Sequence, residues 1–123
     1  MARHNELGKW GEKIAADLLV SKGYAIVEQN WREGRYEIDI IAMYGQRIVF
    51  VEVKSRSHPD DDPLRAIDRR KMWRMAVAAN HYVRCRDIPH EVQFDIIAIS
   101  GTESRYEVRH IADAFLSPLK TYR

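Results

Sequence analysis

Three carboxylates and one lysine lie within one largely apolar stretch of the sequence: Glu37, Asp39, Glu52 and Lys54. The stretch reads YEIDIIAMYGQRIVFVEVKSR, and its two runs of β-branched and aromatic residues around Tyr-Gly-Gln predict a β-hairpin. Because side chains alternate between the faces of a strand, Glu37 and Asp39 are expected to share one face, as are Glu52 and Lys54. Unpaired charges are costly to remove from water, so these groups either pair with each other or hold a metal ion.

The metal alternative corresponds to a known chemistry. Asp39 and Glu52 carry the hard oxygen ligands that Mg²⁺ prefers. Lys54 can then orient a water or stabilise the charge of a phosphodiester under attack. The opposite faces of the two strands are expected to belong to the core, and they carry Ile38, Ile40, Val51 and Val53.

A helix before the hairpin carries another carboxylate. Apolar residues at helical spacing predict this helix over residues 5–22, with Gly23 as its stop. Glu12 falls at the margin of the apolar stripe, near Gly8 and Gly11. Each glycine lowers helix stability by roughly 0.5–1 kcal/mol relative to alanine, so the pair indicates that another backbone or a ligand comes close there. If the helix is considered alone, an exposed Glu12 that pairs with a lysine is the more common explanation.

Other elements must position the hairpin. Residues 24–30 predict a first strand and residues 31–35 a turn. A second helix is predicted to begin at Pro63 and to end near residue 83. Lys71 lies in the middle of its apolar stripe, where a lysine needs a carboxylate partner or a route to solvent. The acidic face of the hairpin is the candidate partner.

The last third of the chain predicts more sheet. Residues 92–100 read as a strand and residues 106–111 as a short edge strand, followed by a tail of weak helical character. Asp95 is interpreted as a structural hydrogen-bond partner rather than a ligand. The five histidines show no paired ligand spacing, so none is assigned a role.

Bulk properties narrow the class of protein. A chain of 123 residues predicts one domain over residues 1–123, and 46% hydrophobic with 31% charged residues is typical of globular proteins. Neither a signal peptide nor a membrane span is recognised, so a cytoplasmic location is expected. The single cysteine, Cys85, excludes an internal disulfide and a multi-cysteine zinc site. A net charge of +2 permits nucleic-acid binding without arguing for it.

The order of the charged residues resembles the PD-(D/E)XK, or restriction-endonuclease-like, superfamily: Glu12 in a first helix, Asp39 in one strand and Glu52-Val53-Lys54 in the next. More narrowly, the chain resembles the bacterial family of uncharacterised YraN-like proteins, UPF0102, from residue 8 to about residue 99. The segments that carry this likeness are GKWGEKIAADLLVSKGY, NWR, EIDIIA, IVFVEVKSR and QFDIIAI. Their co-occurrence makes the resemblance specific, whereas a lone E-x-K would be a weak signal.

The resemblance implies an α/β, restriction-endonuclease-like fold with a central mixed β-sheet of four or five strands flanked by helices. It further implies Asp39 and Glu52 as metal ligands, Lys54 as the catalytic lysine, and Glu12 as a helix carboxylate that holds the metal or its water. Lys71 matches a family lysine on the helix after the E-x-K strand. One departure is Tyr36, where the family usually has glycine, so the geometry entering the metal strand is expected to differ here.

The leading hypothesis is therefore a nuclease that uses Mg²⁺ or Mn²⁺ on nucleic acid, with Arg56, Lys71 and Arg74 contacting the backbone phosphates. Arg69 and Arg70 lie on the same turns, although a solvated basic face is the more common explanation for such a run. Glu37 is interpreted as a structural residue that holds Lys54 or Lys71, with a role as a second ligand as the alternative.

Two rival functions fit the same residues. The first is a non-catalytic nucleic-acid-binding module, in which the carboxylates and lysines form a buried ion-pair network without metal. The second is a protein-interaction subunit that docks through Trp73 and the apolar tail. The superfamily often works as dimers on duplexes, so a homodimer is a candidate assembly, but the sequence identifies neither a protein partner nor the choice between DNA and RNA.

Overall fold

The computed structural model describes residues 2–57 and 67–119, which form two helices and five strands. Their bounds are α1 Ala2–Ser21, β1 Ala25–Glu33, β2 Tyr36–Tyr44, β3 Arg47–Arg56, α2 Arg69–Cys85, β4 Glu91–Thr102 and β5 Arg105–Ile111. The strands follow one another in the sheet in chain order, with β3 and β4 parallel and the other neighbours antiparallel. The sequence predicted this α/β architecture of a mixed sheet flanked by helices, which is consistent with a restriction-endonuclease-like fold.

Each face of the sheet is covered by a helix, because the side chains of β3 alternate between two apolar clusters. Phe50 packs with Tyr82 in the cluster under α2. Val51 packs with Leu19 in the cluster under α1. A period of two is expected for a strand that is buried on both faces. By the same alternation, Glu52 follows on the face that α2 covers.

The predicted hairpin is confirmed, but its first strand is less regular than expected. The recorded pairing of β2 with β3 ends at Ile40 and Val51. Ile38 packs in the cluster under α2, whereas Ile40 packs in the cluster under α1, so the prediction that these two share a face is wrong. The break in alternation lies opposite Asn30 of β1, whose φ of 52° is in the left-handed region.

Two predicted boundaries are also wrong. β1 continues through Trp31 to residue 33, so the turn is shorter than residues 31–35. The strand extends because Trp31 is buried in the core. The second helix begins at residue 69 and not at Pro63, which lies outside the described residues. Asp68 has an extended backbone and caps the helix, since its carboxylate accepts a hydrogen bond from the Lys71 N–H at 2.9 Å.

β5 forms the predicted edge strand next to β4. Residues 112–119 contain no helix, so the weak helical character predicted for the tail is not found in its described part. Instead, Phe115 stacks on Phe94 with ring centroids 4.7 Å apart, which ties the tail to the core under α2. Within the described ranges, neither helix has a stretch long and apolar enough to cross a membrane.

Candidate functional site

Asp39 and Glu52 lie at the point where β2 and β3 separate. The pairing of the two strands ends at Ile40 and Val51; Asp39 directly precedes Ile40, and Glu52 directly follows Val51. The Asp39 carboxylate accepts a hydrogen bond from the main-chain N–H of Val53 at 2.8 Å, in place of a strand-to-strand bond. Glu52 is only 8% exposed. The separation of the strands therefore leaves two carboxylates next to each other in a largely buried position.

Lys71 of α2 reaches this pair. Its Nζ lies 3.0 Å from Glu52 Oε2, which confirms that the lysine in the apolar stripe finds a carboxylate on the hairpin. The Asp68 cap fixes the start of the helix three residues earlier, and Met75 buries the following turn against the sheet. The cap and the core packing together set the position from which the ammonium group meets Glu52.

Both carboxylates are hard to ionise. Burial raises the pKa of Glu52, as does the charge of Asp39, and the opposing effect of Lys71 leaves that pKa at about 7. Burial likewise raises the pKa of Asp39, although the Val53 N–H and the Lys71 charge oppose this. Burial is therefore the main reason that the two carboxylates resist ionisation, and a divalent cation bound by both would favour their charged forms.

Glu12 of α1 lies near the same end of β2. Burial raises its pKa, a hydrogen bond with Asn30 opposes this, and the charge of Asp39 raises it further. The helix comes so close to β3 at Gly11 that a Cβ there would collide with the Ser55 hydroxyl. The close approach expected at the two glycines is therefore found at Gly11, whereas nothing lies within 4 Å of a Cβ built at Gly8.

The three carboxylates of Glu12, Asp39 and Glu52 do not form one tight ligand cluster. Among the residues that the structure describes, they do not each place an oxygen within 4.8 Å of the other two. The geometry therefore leaves Asp39 and Glu52 as a direct pair, with Glu12 close enough for its pKa to respond to the charge of Asp39.

The remaining cationic residues lie around this pair at different distances. Lys54 is on the same strand, and its charge acts to lower the pKa of Glu52. Arg74 lines a groove together with Lys71 and Glu52. Arg56 lies four residues beyond Glu52 on β3, roughly 13 Å away at the rise of a strand. Its Nε has no hydrogen-bond partner within the described ranges.

Glu37 takes a position of its own. It is exposed, and its carboxylate accepts a hydrogen bond from Arg32 of β1 at 3.0 Å. It therefore pairs across the β1–β2 ladder and not with Lys54 or Lys71. The prediction that Glu37 holds Lys54 or Lys71 is therefore wrong, because the strand pairing places Arg32 opposite it.

Asp95 of β4 confirms its interpretation as a structural residue. It is fully buried, and its carboxylate is saturated with hydrogen bonds. The donors are Tyr24 at 2.7 Å, His110 at 2.8 Å, Gln93 at 2.8 Å and the Asp113 N–H at 2.9 Å. Lys22 contacts His110 Nδ1 at 2.9 Å, so Nε2 carries the proton that it donates to Asp95.

One cluster was missed from the sequence. His81 Nε2 lies 2.7 Å from Glu33 Oε1, and Cys85 Sγ lies 3.6 Å from the same nitrogen. These residues are the one group in the described ranges with three ligand-type atoms within 4.8 Å of one another. The spacing of four residues between His81 and Cys85 on a helix was a usable signal. No such signal pointed to Glu33, because its contribution depends on the packing of β1 against α2.

Comparisons with known proteins identify the family. The family model described as "Uncharacterised protein family UPF0102" matches residues 11–99, which contain all the residues of the site. A UPF0102 protein of Bacteroides fragilis is 41% identical over 120 residues, covering 97% of this chain and 99% of the relative. One from Bacteroides thetaiotaomicron is 42% identical with the same coverage, and one from Christiangramia forsetii is 42% identical over 116 residues, covering 94% and 98%. This chain therefore belongs to the uncharacterised protein family UPF0102.

Proposed function

We propose that this protein is a metal-dependent nuclease of the PD-(D/E)XK type, which hydrolyses phosphodiester bonds in nucleic acid. The observation that supports it most is the pair of Asp39 and Glu52 where β2 and β3 separate, with both pKa values raised by burial. The position of Lys54 two residues after Glu52, on a central strand of a mixed sheet, adds to that support.

Mg²⁺ or Mn²⁺ fits this donor set, because both ions prefer oxygen ligands. Asp39 and Glu52 would hold the ion, and Glu12 would hold a water beside it. When bound, such an ion lowers the pKa of a water and neutralises charge on the phosphate.

The chain's own side chains supply the rest of the chemistry. Lys54 lies on the same strand as Glu52 and stabilises negative charge that develops on the phosphate. Lys71 keeps Glu52 in place through their 3.0 Å contact. Arg56 and Arg74 contact the nucleic-acid backbone and position the bond to be cut. Lys71 provides a third contact to a phosphate.

A second candidate is a nucleic-acid-binding module that does not cut. The contact between Lys71 and Glu52 favours it, because an ion pair already neutralises part of the acidic cluster. In that case Asp39 and Glu52 share a proton and need no metal.

A cleavage assay separates the two functions. The purified protein is incubated with Mg²⁺ or Mn²⁺ and end-labelled DNA and RNA in single-stranded, duplex and branched forms. We expect cleavage that chelator abolishes and that Glu52→Gln and Lys54→Met each reduce by about 10²-fold or more. Glu91→Gln is the matched control, since this exposed carboxylate lies at the opposite end of β3 and β4 and pairs with Arg47.

The outcome that contradicts the nuclease is equally specific. Binding of these nucleic acids without cleavage under either ion, and with no loss of affinity in Glu52→Gln, would favour the binding module.

A further inference from the structure

A groove extends from Glu52, one of the two paired carboxylates, to the surface between β2 and α2. Its volume is about 550 Å³, within the range of roughly 300–1,000 Å³ typical of small-molecule sites. Glu52 and Lys71 line its buried end, and Tyr36, Trp73 and Arg74 line it farther out. Whatever occupies this groove therefore lies directly next to the proposed reaction centre.

Trp73 is the unusual residue of this groove. It is 51% exposed, and no aromatic ring packs on it among the described residues. By contrast, Trp10 packs edge-on against Tyr106 and Trp31 packs edge-on against Tyr82, each with centroids 5.2 Å apart. An indole that the fold leaves open, beside a charged site, has a face available for a flat partner.

Positive charge accompanies this aromatic surface. Arg35, Lys71 and Arg74 line the groove, and the two carboxylates that face them are Glu37 and Glu52. Both carboxylates already have cationic partners, since Glu37 binds Arg32 at 3.0 Å and Glu52 binds Lys71 at 3.0 Å. Within the part of the chain that the structure describes, the guanidinium groups of Arg35 and Arg74 therefore remain for an anionic ligand.

Exposed aromatic faces together with cations are the means by which proteins bind single-stranded nucleic acid. Bases stack on the aromatic rings, and the cations follow the backbone. A duplex does not offer the same contact, because its base faces are already stacked on one another.

We propose that the groove binds an unpaired strand of nucleic acid, with a base stacked on Trp73 and the adjoining phosphates contacted by Arg35 and Arg74. The proposal rests on the proposed function, because the strand would lead to the bond cut beside Asp39 and Glu52. It adds the substrate class: single strands, or the single-stranded parts of branched molecules.

The test is equilibrium binding measured by fluorescence anisotropy. Labelled single-stranded DNA, single-stranded RNA and a blunt duplex of the same sequence are titrated in chelator, where metal-dependent cleavage does not proceed. We expect at least one single strand to bind about tenfold or more tightly than the duplex, and the choice between DNA and RNA then identifies the natural strand. Trp73→Ala should weaken single-strand binding about tenfold, and Trp73→Phe should restore most of it.

Tyr106→Ala provides the matched control, because it removes an exposed aromatic side chain from β5, at the far edge of the sheet. It should leave the affinity unchanged. Equal affinity for duplex and single strand, no binding of any oligonucleotide, or no effect of Trp73→Ala would each overturn the proposal. A change of oligomeric state in Trp73→Ala with unchanged affinity would overturn it in favour of a protein contact.

The failure of this inference can be told apart from failure of the nuclease. Metal-dependent cleavage of duplex that Trp73→Ala leaves unaffected would overturn the single-strand proposal and leave the nuclease intact. Selective single-strand binding without cleavage under any ion would overturn the nuclease and leave the groove as a binding site.

Discussion

Buried carboxylates of the same chemical type have opposite properties in this molecule. Asp95 is fully buried, and burial opposes its ionisation, yet its pKa is lowered because four donors outweigh that effect. Asp39 and Glu52 have raised pKa values, because burial and their proximity outweigh the single N–H and the lysine that serve them. A buried carboxylate that is saturated with donors is structural, whereas one that is short of donors is a candidate ligand.

The structural role of Asp95 predicts the effect of Asp95→Asn. Replacing the carboxylate by an amide turns one acceptor oxygen into a donor group. At least one of the four donors is then left without an acceptor. We expect the free energy of unfolding to fall by roughly 1–3 kcal/mol, measured by urea denaturation near neutral pH. Asp113→Asn is the matched control, because that side chain is exposed and makes only a 3.8 Å contact with Arg47, so about 0.5 kcal/mol or less is expected.

The lowered pKa of Asp95 also fixes the sign of a pH effect. In the folded state Asp95 stays ionised to lower pH than in the unfolded chain, where the pKa is about 3.9. Its contribution to the free energy of unfolding is therefore complete above the pKa of the unfolded state and is lost as the pH falls through the pKa of the folded state. The difference in the free energy of unfolding between wild type and Asp95→Asn should be constant above about pH 5 and should shrink below about pH 4. A difference that persists unchanged into acid would contradict an ionised Asp95.

At the scale of elements, the site depends on how closely α1 approaches the sheet. Gly11 faces the Ser55 hydroxyl of β3, and its missing side chain lets the helix settle there. Glu12, the next residue, is thereby brought near Asn30 and Asp39. Glycine here is used for close packing, since this helical position requires no left-handed backbone.

This contact predicts a non-additive pair of substitutions. Gly11→Ala alone must displace the Ser55 hydroxyl, so it should gain less than the roughly 1 kcal/mol by which alanine favours a helix, or should lose stability. In a Ser55→Ala background the same change should cost much less or become stabilising, because alanine favours the helix by about 1 kcal/mol and the hydroxyl is gone. Thermal unfolding of wild type, Gly11→Ala, Ser55→Ala and the double variant measures the coupling between the two positions. Strictly additive effects would show that Ser55 does not limit the approach of α1.

At the scale of the whole molecule, the parts that depend on local pattern could be predicted from the sequence. The hairpin, the two helices, the later strands and the carboxylate partner of Lys71 follow from alternation, from helical spacing and from the cost of burying a charge. The motifs also identified the family. Each of these inferences needs only neighbouring residues or one buried charge.

The parts that failed depend on contacts between distant segments. The break in alternation between Ile38 and Ile40 lies opposite the left-handed Asn30 on the neighbouring strand, which the pattern of β2 alone does not show. The start of α2 was placed too early because Asp68, and not an earlier residue, caps the helix. The Glu33–His81 contact requires β1 to lie against α2, which no local pattern shows.

The proposed metal site at Asp39 and Glu52 can be tested by calorimetric titration with Mn²⁺. The titration compares wild type with Asp39→Asn at a pH above the Glu52 pKa of about 7. The variant keeps an oxygen that accepts the Val53 N–H, so its fold should persist. His81→Gln serves as control, because it disrupts the cluster with Glu33 and Cys85 without touching the pair.

We predict saturable binding of Mn²⁺ to wild type and His81→Gln and its loss in Asp39→Asn. Absence of binding at millimolar Mn²⁺, or binding that Asp39→Asn leaves intact and His81→Gln removes, would contradict the account.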